Sequence, residues 1–272
     1  MRVMEADPRA RRSGGHTHPV AAAVRAHLGE AKVYARDFAT RLATYPLLLV
    51  ISYALWRAIY QQGGDLGVDF NYLVGYYALT LAMTRLVPYG TVATTIGERI
   101  YSGDLAITLA RPLRVWWLPL AELLAHAAIA FVVVSPLAVI AIILTGASPT
   151  TLLAFAGVYL LAANLQFWFY FLLGSLAFWL EHIRGVVYGV SLAMGLLSGA
   201  LIPLRLFPDT VEGVLSLTPF PYFLYFPVDL LLNPDTVTVS SMLTLLAWSL
   251  ILPSAALLLH RHGLKQFTGH GI

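Results

Sequence analysis

The sequence predicts an all-α integral membrane protein that crosses the bilayer six times. Of its 272 residues, 58% are hydrophobic and only 11% are charged, whereas about a quarter of the residues in a typical soluble domain are charged. The apolar residues form six stretches, each with roughly the 20 residues that a transmembrane helix needs. Basic residues lie almost entirely on one side of these stretches.

The six predicted spans are joined by polar loops, with one further apolar stretch left over. That stretch, 213–232, contains three prolines and is too interrupted to form a regular spanning helix. It is predicted to be a re-entrant or surface segment packed against protein, within an outer segment at 204–236. The predicted spans are 43–62, 70–96, 115–144, 151–180, 185–203 and 239–259.

The distribution of basic residues predicts the orientation of the spans. All 17 except Arg57, Arg85 and Arg205 precede span one, follow span six, or lie in the loops after spans two and four. Loops rich in lysine and arginine stay on the cytosolic side. Both termini are therefore predicted to be cytosolic.

The residues before span one divide into two parts. Residues 1–23 have the polar, glycine- and proline-containing composition of a disordered tail. Residues 24–42 place apolar side chains at steps of three and four, which is typical of an amphipathic helix lying in the membrane interface; a solvated cytosolic helix is the alternative. The six-span domain is predicted at 24–262, followed by a cytosolic tail at 263–272.

The sequence contains no motif of the common enzyme classes. It has no cysteine, so a thiolate metal site is impossible. The patterns G-x-x-x-x-G-K-[ST], H-E-x-x-H and G-x-S-x-G are absent. His16 and His18 could bind a metal, but a flexible tail explains them more simply. No catalytic residue, metal site or cofactor site is predicted in this chain.

Three local stretches, in this order along the chain, carry a resemblance to a known family. Together with the interfacial helix and six spans, they resemble permease subunits of ATP-binding cassette exporters, in the drug-, lipid- and polysaccharide-exporting branch. The match is closest to bacterial permeases encoded separately from their ATPase. The stretches are Ile-Tyr-Ser-Gly-Asp-Leu at 100–105 with Leu-Ala-Arg-Pro-Leu at 109–113, Pro-Leu-Arg-Leu-Phe-Pro at 203–208 with Thr-Pro-Phe at 218–220, and Gly-Leu-Lys-Gln-Phe-Thr-Gly at 263–269.

The resemblance implies partners and a location. A pair of ATPase subunits would bind ATP and magnesium, and a second permease, identical or related, would complete the transporter. Both permeases would lie among the lipids of the bacterial plasma membrane. Nucleic acid is not an expected partner.

The resemblance also implies that residues 97–114 couple the permease to the ATPase. The residue types suit a short docking helix, because Asp104 can cap a helix from Leu105 to Leu109 and Pro112 prevents its continuation. A solvated hairpin between spans is the alternative. The predicted coupling residues are Glu98, Arg99, Gly103, Asp104, Leu105, Leu109, Arg111 and Pro112.

Three polar residues fall inside predicted spans. Arg85 lies in span two, and Glu122 and His126 share one helical face of span three. Charged groups in hydrocarbon are costly and are usually paired or functional. A structural Arg85–Glu122 ion pair is favoured, with a proton- or substrate-binding site as the alternative.

Span five contains small residues at a spacing of four. Gly185 and Gly189 form one such pair and Gly195 and Gly199 form another; small residues at this spacing allow helices to approach closely. The resemblance places this span at the seam between two permeases, beside the substrate path.

The predicted function is membrane export of a lipophilic or amphipathic substrate, driven by ATP hydrolysis in a separate subunit. Two alternatives of another class are a membrane enzyme acting on lipid, for which no catalytic constellation is present, and a regulatory scaffold. A further alternative within the exporter class is polysaccharide or glycolipid export through an aromatic-lined channel. The tyrosines available for such a channel are Tyr72, Tyr76, Tyr77, Tyr89, Tyr222 and Tyr225.

Overall fold

The computed structural model describes residues 19–63, 67–109 and 114–266, and its regular secondary structure there is entirely helical. The predicted all-α membrane fold is confirmed. Short 3₁₀ turns connect several of the helices. The α-helices are α1 (Pro19–Gln61), α2 (Phe70–Leu86), α3 (Tyr89–Tyr101), α4 (Leu105–Leu109), α5 (Trp117–Thr145), α6 (Thr150–Ser175), α7 (Ile183–Leu197), α8 (Asp209–Ser216), α9 (Tyr225–Leu232) and α10 (Val239–Leu264).

Four helical stretches in the described part of the chain are long and apolar enough to cross a membrane. They are Leu42–Gln61, Trp117–Thr145, Thr150–Phe178 and Val239–Leu264. They correspond to predicted spans one, three, four and six. Their outer faces expose many large apolar side chains, as expected for helices surrounded by lipid.

Predicted span two is not one helix. α2 ends at Leu86, Val87 and Pro88 are non-helical, and α3 begins at Tyr89 and continues to Tyr101. The cause is Pro88, which has no N–H to donate and disfavours a helical conformation at the residue before it. The prediction of a continuous helix over 70–96 is therefore wrong, and the helical region extends further than predicted.

Predicted span five is also shorter than expected. α7 contains 15 residues and ends at Leu197, where the chain turns through Ser198 and Gly199. At 1.5 Å per residue, such a helix is ~22 Å long, which is less than the ~30 Å hydrocarbon core. The total of six spans thus stays a prediction, with α2–α3 and α7 as the two interrupted or short elements.

The first helix is longer than any single predicted element. α1 runs for 43 residues from Pro19 to Gln61, with Pro46 inside it. The predicted interfacial helix at 24–42 and span one therefore form one uninterrupted helix. The location of its first half in the membrane surface stays a prediction. Of the predicted tail at residues 1–23, residues 1–18 lie outside the described residues, whereas residues 19–23 belong to α1 and are helical.

The outer segment at 204–236 is broken, as its prolines predicted. It contains the eight-residue helices α8 and α9 with 3₁₀ turns between them. α9 is buried against α2, α5 and α6, whereas no residue of α8 is buried. One half of this segment thus belongs to the core and the other half to the surface.

α6 lies at the centre of the fold, with α3, α5, α9 and α10 packed against it. Two glycines allow particularly close packing near its end. A Cβ at Gly174 would lie 2.8 Å from the carbonyl oxygen of Ala93 in α3, and a Cβ at Gly263 in α10 would overlap the ring of Phe178. These contacts place α3 against the end of α6 and α10 against the 3₁₀ turn that follows it.

Candidate functional site

The predicted coupling segment consists of the end of α3, a turn at 102–104 and the short helix α4. Gly103 has a φ of 80°, a left-handed conformation that favours glycine. The Ser102 hydroxyl donates a hydrogen bond to the Asp104 carboxylate at 2.8 Å. The Asp104 backbone N–H donates to the Ser102 hydroxyl at 3.3 Å. α4 then spans Leu105–Leu109, as the sequence predicted.

α4 has one buried and two exposed large apolar side chains. Leu105 is fully buried in the main core, whereas Ile107 is 61% exposed and Leu109 is 45% exposed. Leu105 is among the residues predicted from the sequence to contact the ATPase. In the structure, Leu105 is instead a core residue and is not part of an exposed surface. Arg111 and Pro112 lie outside the described residues.

The end of α3 is joined to the start of α7. Arg184 donates two hydrogen bonds to Glu98 Oε1, the shorter at 2.6 Å, so this carboxylate is already engaged within the chain. Gly97 lies inside α3, where an added Cβ would overlap Ile183 of α7. The neighbouring predicted coupling residue Arg99 is half-buried. The end of α3 and the start of α7 are therefore held together by an ion pair and by close packing.

Most of the chain matches a known protein family. The family model described as "ABC-2 family transporter protein" matches residues 40–271. The chain belongs to the ABC-2 transporter family. The comparison with curated proteins finds no match.

Membership of the ABC-2 family establishes the coarse role of the chain. It is an integral membrane protein and a permease component of an ATP-binding cassette transporter, and an ATPase partner is implied. The resemblance drawn from the sequence is therefore confirmed. Family membership establishes neither the substrate nor the direction of transport.

The polar residues predicted inside the membrane are described only in part. Glu122 and His126 lie on α5 and line a small pocket with Thr91 and Thr95 of α3. This pocket has a volume of about 10 Å³, enough for one water molecule but not for a substrate. The ring of His126 is hydrogen-bonded to the Glu122 backbone oxygen at 2.9 Å. The Arg85 side chain lies outside the described residues, so its pairing with Glu122 stays a prediction.

The four glycines of span five have different surroundings. A Cβ at Gly185 or Gly189 would meet nothing within 4 Å, so this part of α7 is open on its glycine face. Gly195 instead faces Leu201 within the chain. Gly199 lies beyond the end of α7 with a φ of 83°, and a Cβ there would be 2.7 Å from the Tyr76 hydroxyl. The prediction that Gly195 and Gly199 lie on one helical face is therefore wrong. Both glycines allow close packing inside the chain.

A buried charge cluster joins the outer segment to α2, and the sequence reasoning missed it. Asp229 of α9 is 5% exposed and forms an ion pair with Arg205 at 3.3 Å. Its carboxylate also accepts hydrogen bonds from Tyr72 of α2 at 2.9 Å and from Asn233 at 3.2 Å. The Arg205 guanidinium lies 5.1 Å from the centre of the Tyr72 ring, within cation–π range. Two features of the sequence could have predicted this ion pair. Asp229 is a carboxylate inside the apolar run 226–232, and Arg205 is an arginine among the acidic residues of the predicted outer side.

The tyrosines that suggested an aromatic-lined channel are used mainly for internal packing. Tyr76 donates a hydrogen bond to the Gly199 carbonyl at 2.8 Å, and Tyr77 donates to the Leu201 carbonyl at 2.6 Å. Tyr222 is buried and donates to the Ser216 carbonyl at 3.0 Å. These bonds hold the turn after α7 and the outer segment in place. They give no particular support to a sugar channel.

Proposed function

We propose that this ABC-2 permease pairs with a second permease and exports a lipophilic or amphipathic substrate from the cytosol of a bacterial cell. The observation that carries the proposal is α4, a helix that is anchored by Leu105 and presents Ile107 and Leu109 to the outside. Exposed apolar residues outside the predicted spans are typical of a protein interface. The open glycine face of α7 supports a seam with a second permease in the same way.

The proposed mechanism uses the path from α4 to α7. Binding of ATP would close the ATPase pair and move the two α4 helices. Because α3 is packed against α6 and α7, this movement would reach the helix break at Val87–Pro88 and the face of α7 beside the second permease. ATP shifts the equilibrium between inward- and outward-facing states because it binds the closed ATPase pair more tightly.

Copurification tests the proposed function. The chain is expressed with the proteins encoded next to it, extracted in mild detergent and isolated through a tag on the permease alone. We expect an ATPase containing a phosphate loop to elute with it and to hydrolyse ATP faster in the complex than alone. Isolation of the permease without any such ATPase, from cells that make both proteins, would contradict the proposal and favour a scaffold.

The cytosolic location of both termini gives a second expected result, which the absence of native cysteine makes easy to measure. Single cysteines at Ser13 and Thr268 should resist a membrane-impermeant thiol reagent in intact cells, because basic flanks stay in the cytosol. A cysteine at Asp209, which is exposed on α8, should react. Reaction at either terminus would reverse the orientation and, with it, the side on which α4 meets the ATPase.

A further inference from the structure

The last turn of α10 carries three exposed basic side chains, those of Arg261, His262 and Lys265. Positions 261 and 265 are one turn apart and lie on the same side of the helix. Within the described part of the chain, neither of these two cations is engaged by a carboxylate. Arg184, by contrast, is already paired with Glu98. The end of α10 thus presents two positive charges that no described carboxylate neutralises.

This turn lies where α10 leaves the hydrocarbon. α10 has 26 residues, or ~39 Å, which exceeds the ~30 Å hydrocarbon core. Predicted span four ends beside it, because a Cβ at Gly263 would overlap the Phe178 ring and the next ring, Trp179, is stacked on His262 with centroids 6.0 Å apart. Trp179 is 41% exposed, and tryptophan is enriched at the boundary between hydrocarbon and headgroups. Two spans thus end together at the depth of the lipid headgroups.

The exposed apolar side of α10 continues directly into the basic turn. Ile251 is 49% exposed and Leu258 is 66% exposed. With 3.6 residues per turn, Ile251 and Lys265 each lie within ~20° of Leu258 around the helix axis. An acyl chain along Ile251 and Leu258 would therefore bring the phosphate of the same lipid to Lys265, whose long side chain can keep its ammonium group at headgroup level.

The groups at this turn suit the phosphate of an anionic lipid. Basic side chains near a membrane surface attract anionic lipids, and basic pockets between spans bind their headgroups. The indole N–H of Trp179 is a donor and makes no hydrogen bond to the described residues. The carboxylate nearest to Trp179 along the chain, that of Glu181, is exposed and pairs with neither cation. A phosphatidylcholine headgroup carries its own positive charge beside the phosphate, so it gains less here than an anionic headgroup.

We propose that the turn of α10 at 261–265, together with Trp179, binds the headgroup of an anionic phospholipid from the leaflet in which this end of α10 lies. By the predicted orientation, this is the cytosolic leaflet. Binding depends neither on the ATPase nor on the transported substrate. A basic last turn also complements the dipole of its own helix, but that effect needs no lipid and does not distinguish one headgroup from another.

Photolabelling in nanodiscs tests the proposal. The purified permease is placed in phosphatidylcholine nanodiscs that contain a small amount of one probe, either phosphatidylglycerol or phosphatidylcholine, with the same diazirine-bearing acyl chain. Labelled residues are identified by mass spectrometry. Phosphatidylglycerol should label Trp179 and the α10 face from Ile251 to Lys265 at least ~10-fold more strongly than phosphatidylcholine, a ratio that corresponds to ~1.4 kcal/mol. The exposed side chains of Leu47 and Val50 in α1 should be labelled equally by both probes.

Three double variants connect this preference to the two cations. Arg261→Gln with Lys265→Gln should bring the ratio close to one. Arg261→Lys with Lys265→Arg keeps both charges and should keep the preference. Arg57→Gln with Arg114→Gln removes two exposed arginines elsewhere and should leave the ratio unchanged. Equal labelling of the native turn by both probes, or an undiminished ratio in the first variant, would overturn the proposal.

Two further measurements identify the occupant of the turn. Inorganic phosphate should lower the labelling no more than sodium chloride of the same ionic strength, because it lacks the acyl chains. Specific loss with phosphate would assign the turn to a free anion and overturn its binding of lipid. Labelling should also persist in the permease–ATPase complex, whereas its loss there would show that the ATPase covers this turn in the transporter and would overturn its assignment to the membrane. If the lipid preference is absent while the ATPase still copurifies, this proposal fails and the proposed function stands.

Discussion

Replacing Ile107 and Leu109 by serine should release the ATPase from the permease and leave the permease folded. Both side chains are exposed on α4, so the permease loses little packing when they are changed. Full burial of such a side chain contributes ~1.5–3 kcal/mol, and 61% of Ile107 and 45% of Leu109 are still exposed for a partner to bury. Loss of both should therefore weaken the complex by at least ~10-fold, since ~1.4 kcal/mol corresponds to a factor of ten. The measurement is recovery of the ATPase on the tagged permease, normalised to permease amount.

Two control variants distinguish docking from folding. Val211→Ser with Val214→Ser makes the same kind of change on α8, where both side chains are also exposed, but on the predicted outer side; ATPase recovery should be unchanged. Leu105→Ser alters the buried face of α4 and should reduce the yield of folded permease instead. Full ATPase recovery by the Ile107/Leu109 double variant would show that α4 does not dock the ATPase.

The short elements that depend on local chemistry could be predicted from the sequence. α4 was expected at Leu105–Leu109 because Asp104 can cap the start of a helix and Pro112 prevents its continuation, and the structure gives the same bounds. The four long spans were found because runs of ~20 apolar residues leave few alternatives. The broken outer segment was found because proline excludes a regular helix.

The interruptions of the spans were not predicted, although Pro88 was visible. An average over a window of apolar residues is hardly changed by one proline, so the stretch 70–96 looked continuous. The residue before a proline is disfavoured in a helix, and this local rule would have placed the break at Val87. α7 ends where Gly199 adopts a left-handed φ of 83°, and a glycine in this conformation is a common local signal for the end of a helix. The Tyr76 hydroxyl, 123 residues away in the chain, then donates a hydrogen bond to the Gly199 carbonyl.

The parts of the site that depend on distant residues could not be read from the sequence. Leu105 and Ile107 are both apolar, and only the packing of α4 decides which one is buried. The outer segment is likewise held by distant residues, since Gln166 of α6 reaches it at Phe223. Local patterns locate helices, whereas exposure and long-range contacts follow from how the helices pack.

The ion pair between Arg205 and Asp229 gives the second large expected effect. Arg205→Leu leaves a carboxylate that is almost fully buried without its positive partner, which costs ~3–5 kcal/mol. Asp229→Asn removes the negative charge in the same background and keeps an oxygen that can accept the Tyr72 hydrogen bond. The double variant should therefore be more stable than Arg205→Leu alone, although it carries one more substitution.

Thermal challenge in detergent measures this order directly, through the fraction of monodisperse permease that survives heating. We expect Arg205→Leu to survive least and the double variant to recover most of the loss, because the cost comes from the unpaired charge rather than from missing side-chain volume. Asp209→Asn serves as a control, since that carboxylate is exposed on α8 in the same outer segment and its neutralisation should change little. If the two substitutions instead add, Arg205 does not stabilise the Asp229 carboxylate. The polar contact between α9 and α2 would then depend on the hydrogen bond from Tyr72.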